Sequence, residues 1–200
     1  MEVLMMKKYQ FCCDMDGVLC NFIDAATELV NKTVRERAKY KFADPEFHET
    51  ILAAIEEVGS TTIDKNDLRI GTPHRNLREV MKRMCRHNEE FWANLEWNKG
   101  GRVIWNAIKD HNPYILSAPM GKSKESMAGK RKWIEKNLGV PSERIILDDD
   151  KYKYTTLDKR QGVLIDDMWF NIKPYRKHGG EAIYHCNMRT TMGLIKRYAE

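Results

Sequence analysis

The sequence lacks any long apolar run. No window approaches the roughly 18 consecutive apolar residues of a membrane span, and Met1 to Lys8 holds no apolar stretch of leader length. The expectation is a protein with no membrane partner. Paired cysteines are also missing. Cys12, Cys13, Cys20, Cys85 and Cys186 make an odd count without CxxC spacing, which argues against a disulfide framework or a zinc site. That usage fits a reducing cytosol, and hence a cytoplasmic location. No basic block of the kind that marks a tail is present, because Lys and Arg are spread along the chain. The net charge of +5 helps attract a phosphorylated substrate without demanding nucleic acid. Internal repeats and low-complexity segments are absent. What is present, 42% hydrophobic and 32% charged residues over 200 positions, describes a soluble globular chain. It is long enough for one domain, or for a core with an insertion.

The apolar pattern gives that chain an order. Residues 9–13 read as a buried strand, in which Cys12 and Cys13 point to opposite faces. Phe22, Ala25, Ala26, Leu29, Val30 and Val34 recur at helical spacing. Pro45 starts a helix carrying Ile51, Leu52, Ile55 and Val58, which Gly59 stops. Thr72-Pro73 opens another, with Leu77, Val80, Met81 and Met84 on one face. The aromatic-rich segment Phe91, Trp92, Leu95 and Trp97 follows near its end. From Gly100-Gly101 the pattern changes to alternation. Helix 103–108, strand 114–116, helix 124–138, strands 144–147, 162–165 and 181–185, and a last helix at 190–198 succeed one another. The expected fold class is α/β: a Rossmann-like parallel five-stranded sheet with helices on both faces. Residues 1–20 and 100–200 form its core. Residues 21–99 are too long for a simple crossover and read as a helical cap inserted after the first strand, over the carboxyl edge of the sheet.

Several strands end in polar residues, and parallel strands bring their ends to one edge, where α/β sheets bind ligands. The first ends at Asp14-Met15-Asp16-Gly17, the second at Ser117, and a later one at Asp166-Asp167. Two acids two residues apart suit a divalent cation and a phosphate, with one carboxylate free to act as nucleophile; a strand running into an Asp-Gly turn is the plainer alternative. Mg²⁺ takes oxygen ligands from one or two carboxylates, which Asp14 and one of Asp166 or Asp167 can supply. Asp14 then remains an anionic nucleophile, since a nearby cation favours the charged form. Asp16 can protonate the leaving oxygen and afterwards take a proton from water. Ser117 can donate to a phosphate oxygen, or simply cap a loop. Lys130 is the candidate for balancing the remaining charge, although it sits among Lys122, Lys124, Arg131 and Lys132 on a basic helix. Asp148-Asp149-Asp150 reads as a solvated loop or as an addition to a metal site.

The order DMDGVL at 14–19, ILSAP at 115–119, a lysine before Trp133 and LIDD at 164–167 resembles the haloacid dehalogenase (HAD) superfamily of phosphatases. DMDGVLCNF at 14–22, FWANLEWNKGG at 91–101 and the spacing from Ser117 through Lys130 to Trp133 are more narrowly similar to the 5'(3')-deoxyribonucleotidases. The likeness covers about residues 9–30 and 90–186. It implies that Asp14 forms an aspartyl-phosphate and Asp16 is the acid/base. It also implies that Mg²⁺ is held by Asp14, the Asp16 carbonyl and an acid of the Asp166-Asp167 pair. Ser117, the Ala118 backbone and Lys130 would bind phosphate, and Phe22, Phe91 and Trp92 would face the nucleoside; ordinary cap packing is the alternative for these aromatics. Ser117 stands where relatives carry Thr, Trp97 replaces a proline, Gly101 an alanine, and the loop from Leu147 to Gly162 is longer. The expected partner is a small phosphorylated substrate, a (deoxy)nucleoside monophosphate. A nucleic-acid end is the alternative, through Arg69, Arg75, Arg78, Lys82, Arg83 and Arg86, as is a phosphorylated metabolite. A fold retained for binding alone is the third reading, and a homodimer is left open.

Overall fold

The computed structural model describes residues 8–200; the segment 1–7, to which most of the leader reading refers, lies outside them. Among the described residues six strands form one sheet: β1 (Tyr9–Cys13), β2 (Tyr114–Ser117), β3 (Ile145–Leu147), β4 (Thr156–Leu157), β5 (Arg160–Asp166) and β6 (Glu181–Tyr184). The helices are α1 (Phe22–Arg35), α2 (Tyr40–Ala43), α3 (Pro45–Val58), α4 (Arg75–Arg86), α5 (Glu89–Ala93), α6 (Gly101–Ile108), α7 (Lys124–Leu138), α8 (Trp169–Lys177) and α9 (Met188–Ala199). The architecture is α/β, with a parallel sheet flanked by helices. The five parallel strands expected from the sequence are all present, and the sheet carries one strand more. The addition, β4, pairs antiparallel with the start of β5. Asp158 and Lys159 turn between them with φ of 50° and 59°, the doubly left-handed backbone of a tight hairpin.

The described residues divide into two compact units, residues 8–21, 96–119 and 131–200, and residues 22–95 with 120–130. In the first, the parallel strands run in the order β3-β2-β1-β5-β6. The chain moves outward from β1 to β2 and β3, then resumes on the other side of β1 with β5. This reversal is the topological switch point, where the carboxyl ends of the strands open a crevice. Cys12, Leu116 and Leu164 share one sheet face and pack on Ile172 and Tyr175 of α8. Such continuous apolar strands are what a sheet covered on both faces requires.

The second unit is helical. Asp44 caps α3 by accepting from Phe47 N at 3.2 Å, Pro45 occupies its first turn, and Gly59 ends it at φ 69°. The helix expected to open at Thr72-Pro73 begins at Arg75. Its free N–H groups are met from elsewhere, since the Glu57 carboxylate accepts from Asn76 N at 2.9 Å and Leu77 N at 3.3 Å. The charge also suits the positive end of the helix dipole. Phe47, Ile51, Ala54, Leu77, Val80 and Cys85 fill the core of this unit.

Candidate active site

The register of the sheet assembles the acids. Cys13 pairs with Ile165, and Asp14 N donates to the Ile165 carbonyl at 2.9 Å. Asp14 and Asp166 therefore leave adjacent strands side by side. Ser117, fully buried, ends β2 on the other side of β1. Carboxylate oxygens of Asp14, Asp166 and Asp167 all lie within 4.8 Å of one another.

The glycine after the acid pair has two reasons to be glycine. Gly17 has φ 75°, and a Cβ there would overlap the Asp167 carboxylate. The turn is strapped from residues 96–101. Asn21 N donates to the Glu96 carbonyl, Asn98 N to that of Leu19, and the Asn98 side chain to that of Gly17. Gly101 meets the Leu19 backbone so closely that an added methyl group would clash with its carbonyl. Asn98 and Gly101 thus help to hold the Asp14–Gly17 turn in place. Trp97 packs on Trp133 with ring centroids 5.1 Å apart.

The structure adds one residue that sequence reasoning missed. Lys151 is 2% exposed, and its Nζ lies 2.8 Å from Asp14 Oδ1 and 2.7 Å from Asp166 Oδ2. Burial alone would lower the pKa of this ammonium. The two adjoining carboxylates outweigh it and hold the group protonated well above its ordinary range. Asp148, in the acidic run before it, accepts from Asp150 N at 2.9 Å and from the Tyr154 hydroxyl at 2.8 Å. Asp150 pairs with Lys153 at 2.8 Å. The run 148–150 therefore shapes the loop that delivers Lys151, and its acids stand outside the carboxylate cluster.

Asp166 is held by Met168 N at 2.8 Å, by the Asn171 amide at 3.0 Å and by Lys151. Burial, followed by the Asp14 charge, still pushes its carboxyl up to about 6. Asp167 is pushed further, to about 8, by burial and then by the charges of Asp14, Asp166 and Asp16. Such a cluster asks for more positive charge than Lys151 provides. Three carboxylates are the hard oxygen donors that Mg²⁺ prefers, so the residues present fit that ion. Asp16 lies at the margin, half-buried, with Oδ1 accepting from the Cys20 thiol at 3.5 Å.

These shifts predict a pH dependence. A carboxyl whose folded pKa lies above the ordinary 3.8 keeps a proton that the unfolded chain has lost. Folding is then favoured at low pH, and that advantage drains away as pH rises through about 6 and about 8. In EDTA the melting temperature is expected to fall between pH ~5 and ~8. Mg²⁺ should add more stability at the upper end, where the acids are ionised. Melting curves with and without Mg²⁺ check this, and a metal-free melting temperature that rises over that interval would contradict it.

In the second unit, Phe22 and Trp92 are stacked, with centroids 5.3 Å apart, and Phe91 meets both edge-on. Trp92 is a packed core ring whose indole N–H donates to the Cys85 carbonyl at 2.8 Å, while Phe22 and Phe91 are half-buried. Lys130, fully buried, carries its Nζ 4.6 Å from the Trp92 ring centre, a cation–π contact. The residues expected to serve phosphate and nucleoside from this unit therefore gather around one indole. Ala118 follows Ser117, half-buried. The basic residues of α4 are largely committed within the unit: Arg83 to Asp44, Arg78 to the Thr72 carbonyl and Lys82 to Glu79.

No family model matches the sequence, and no curated protein shows significant similarity to it. Among solved structures, a hydrolase from Streptococcus pneumoniae aligns at 12% identity over 96% of this chain and 100% of its own, with a TM-score of 0.47. An L-2-haloacid dehalogenase aligns at 14% identity over 88% of this chain and 83% of its own, with a TM-score of 0.44. The HAD-hydrolase YfnB of Bacillus subtilis, solved with magnesium, aligns at 14% identity over 89% and 87%, with a TM-score of 0.47. The fold assignment rests on the strand order and register given above.

Proposed function

We propose that the chain is a phosphomonoester hydrolase of the HAD type that works through an aspartyl-phosphate and acts on nucleoside monophosphates, deoxyribonucleotides foremost. The observation that carries this reading is the convergence of Asp14, Asp166 and Asp167 at the switch point. The DMDGVL, ILSAP and LIDD motifs support it, because each lies at the end of a strand in this sheet.

Phosphoryl transfer needs a positioned attacker and charge neutralisation more than elaborate covalent chemistry. Asp14 Oδ1 is engaged by Met15 N at 2.8 Å and by Lys151, which leaves Oδ2 for attack on phosphorus. The new bond joins Asp14 to the phosphoryl group as the ester bond breaks, and Asp16 gives its proton to the departing alkoxide. Asp16 then takes a proton from water as that water attacks the acyl phosphate, which restores both side chains and frees inorganic phosphate. Mg²⁺, held by Asp14, Asp166, Asp167 and the Asp16 carbonyl, would neutralise charge on the phosphoryl group. Ser117 at the end of β2 donates to a phosphate oxygen.

The test is phosphate release from nucleoside monophosphates, sugar phosphates and an aryl phosphate, with Mg²⁺ and with EDTA. Release that requires Mg²⁺ and is fastest on nucleotides is expected. No release from any of them, the aryl phosphate included, would overturn the reading.

A further inference from the structure

Few large rings stand in solvent in this chain, and two of them are consecutive. Trp169 is 52% and Phe170 57% exposed. Both begin α8, directly after Asp166-Asp167-Met168. A third ring joins them from the sheet. Tyr184 ends β6 in register with Asp166, is 37% exposed, and packs edge-on against Trp169 with centroids 5.6 Å apart. Exposed rings in one place, and not scattered singly, mark an interaction surface.

The rest of the exposed helix face is basic. Lys173, Arg176 and Lys177 fall four, seven and eight residues after Trp169, on its side of a helix with 3.6 residues per turn. All three are exposed. Arg176 is fixed in place. It donates to the Ala182 carbonyl at 2.6 Å and its guanidinium lies 5.9 Å from the Trp169 ring centre. From Met168 to His178 the sequence contains no acid. The surface therefore offers flat apolar rings beside a row of cations, starting where β5 delivers its carboxylates.

We infer that this face binds single-stranded nucleic acid. Its bases stack on Trp169, Phe170 and Tyr184, and its phosphates lie along Lys173, Arg176 and Lys177. Rings with adjoining cations are what a strand without a fixed sequence requires, since every base has a stacking face and every linkage a charge. Charge complementarity selects this occupant over a second copy of the chain. A two-fold contact through the patch would set the same three cations against themselves. The inference goes beyond the phosphatase reading, and the binding it describes does not depend on turnover.

The full-length protein is titrated against a fluorescein-labelled oligothymidylate lacking a terminal phosphate, and fluorescence anisotropy is followed over a range of salt concentrations. Binding is expected at low salt, weakening with a log–log slope near −2 for about three phosphate contacts. Trp169→Ala is expected to weaken it roughly ten-fold or more. The Lys173→Ala, Lys177→Ala pair should flatten the slope by about 1.4. All these side chains are exposed, so the variants should melt like the parent. The inference is overturned by no anisotropy change, by variants that bind like the parent, or by sedimentation showing instead a self-associated protein that Trp169→Ala disperses. Aryl phosphate hydrolysis in the same preparations reports on the phosphatase reading separately.

Discussion

Asp14→Asn is expected to fold normally, bind Mg²⁺ weakly and release phosphate roughly 10⁴-fold or more slowly than the parent. The substitution keeps the volume and keeps an oxygen for the Met15 N–H, which Asp14 Oδ1 accepts at 2.8 Å. The turn before Gly17 therefore survives. What is lost is the anionic oxygen that the proposed mechanism directs at phosphorus. Steady-state phosphate release measures the effect, and acid quenching identifies its cause. The parent should show a phosphorylated peptide spanning Asp14, and the variant should show none. Turnover near the parent's in Asp14→Asn would remove Asp14 as nucleophile.

The acids were legible because each follows an apolar run short enough to be a strand. Val163-Leu164-Ile165 before Asp166, like Phe11-Cys12-Cys13 before Asp14, announces a buried strand by composition, and parallel pairing then places the ends together. Helix α7 was legible end to end, from Lys124 to Leu138, because Gly139 follows it at φ 63°. The start of α4 was misplaced because its N-terminal N–H groups are satisfied by Glu57, nineteen residues earlier, where a local cap was sought at Thr72-Pro73. Strand β4 escaped because its hairpin turns on Asp158-Lys159, without the glycine that usually signals such a turn.

Lys151 was illegible for a different reason. Asp148-Asp149-Asp150-Lys151-Tyr152-Lys153 reads as a solvated charged loop, and a buried lysine is rare enough to be discounted. Its burial depends on Asp148 folding the loop back through Asp150 N and Tyr154, and on two carboxylates that arrive from β1 and β5. Neither condition leaves a local trace. The one signal the sequence holds is arithmetic: several acids converge at one edge, and such a cluster calls for a cation beside it.

Lys151→Met tests that balance, and it carries the second large effect. Removing one partner of a buried ion pair leaves the others uncompensated, which typically costs about 3–5 kcal/mol. Here Asp14 and Asp166 would lose their shared ammonium, at 2.8 and 2.7 Å, inside a site so crowded with acids that Asp167 is already driven to keep its proton up to about 8. In EDTA the variant is expected to melt well below the parent, and the gap should widen as pH rises and the cluster ionises. Methionine fills the space of the lysine stem, so little of the loss is packing. Mg²⁺ should restore much of the stability, because an ion among the three carboxylates supplies the missing charge. The Mg²⁺-induced rise in melting temperature should therefore be larger in the variant than in the parent. Equal melting of the two proteins in EDTA would show that Lys151 is not the counter-ion of the cluster. A loss that Mg²⁺ leaves untouched would place its contribution in packing and not in charge.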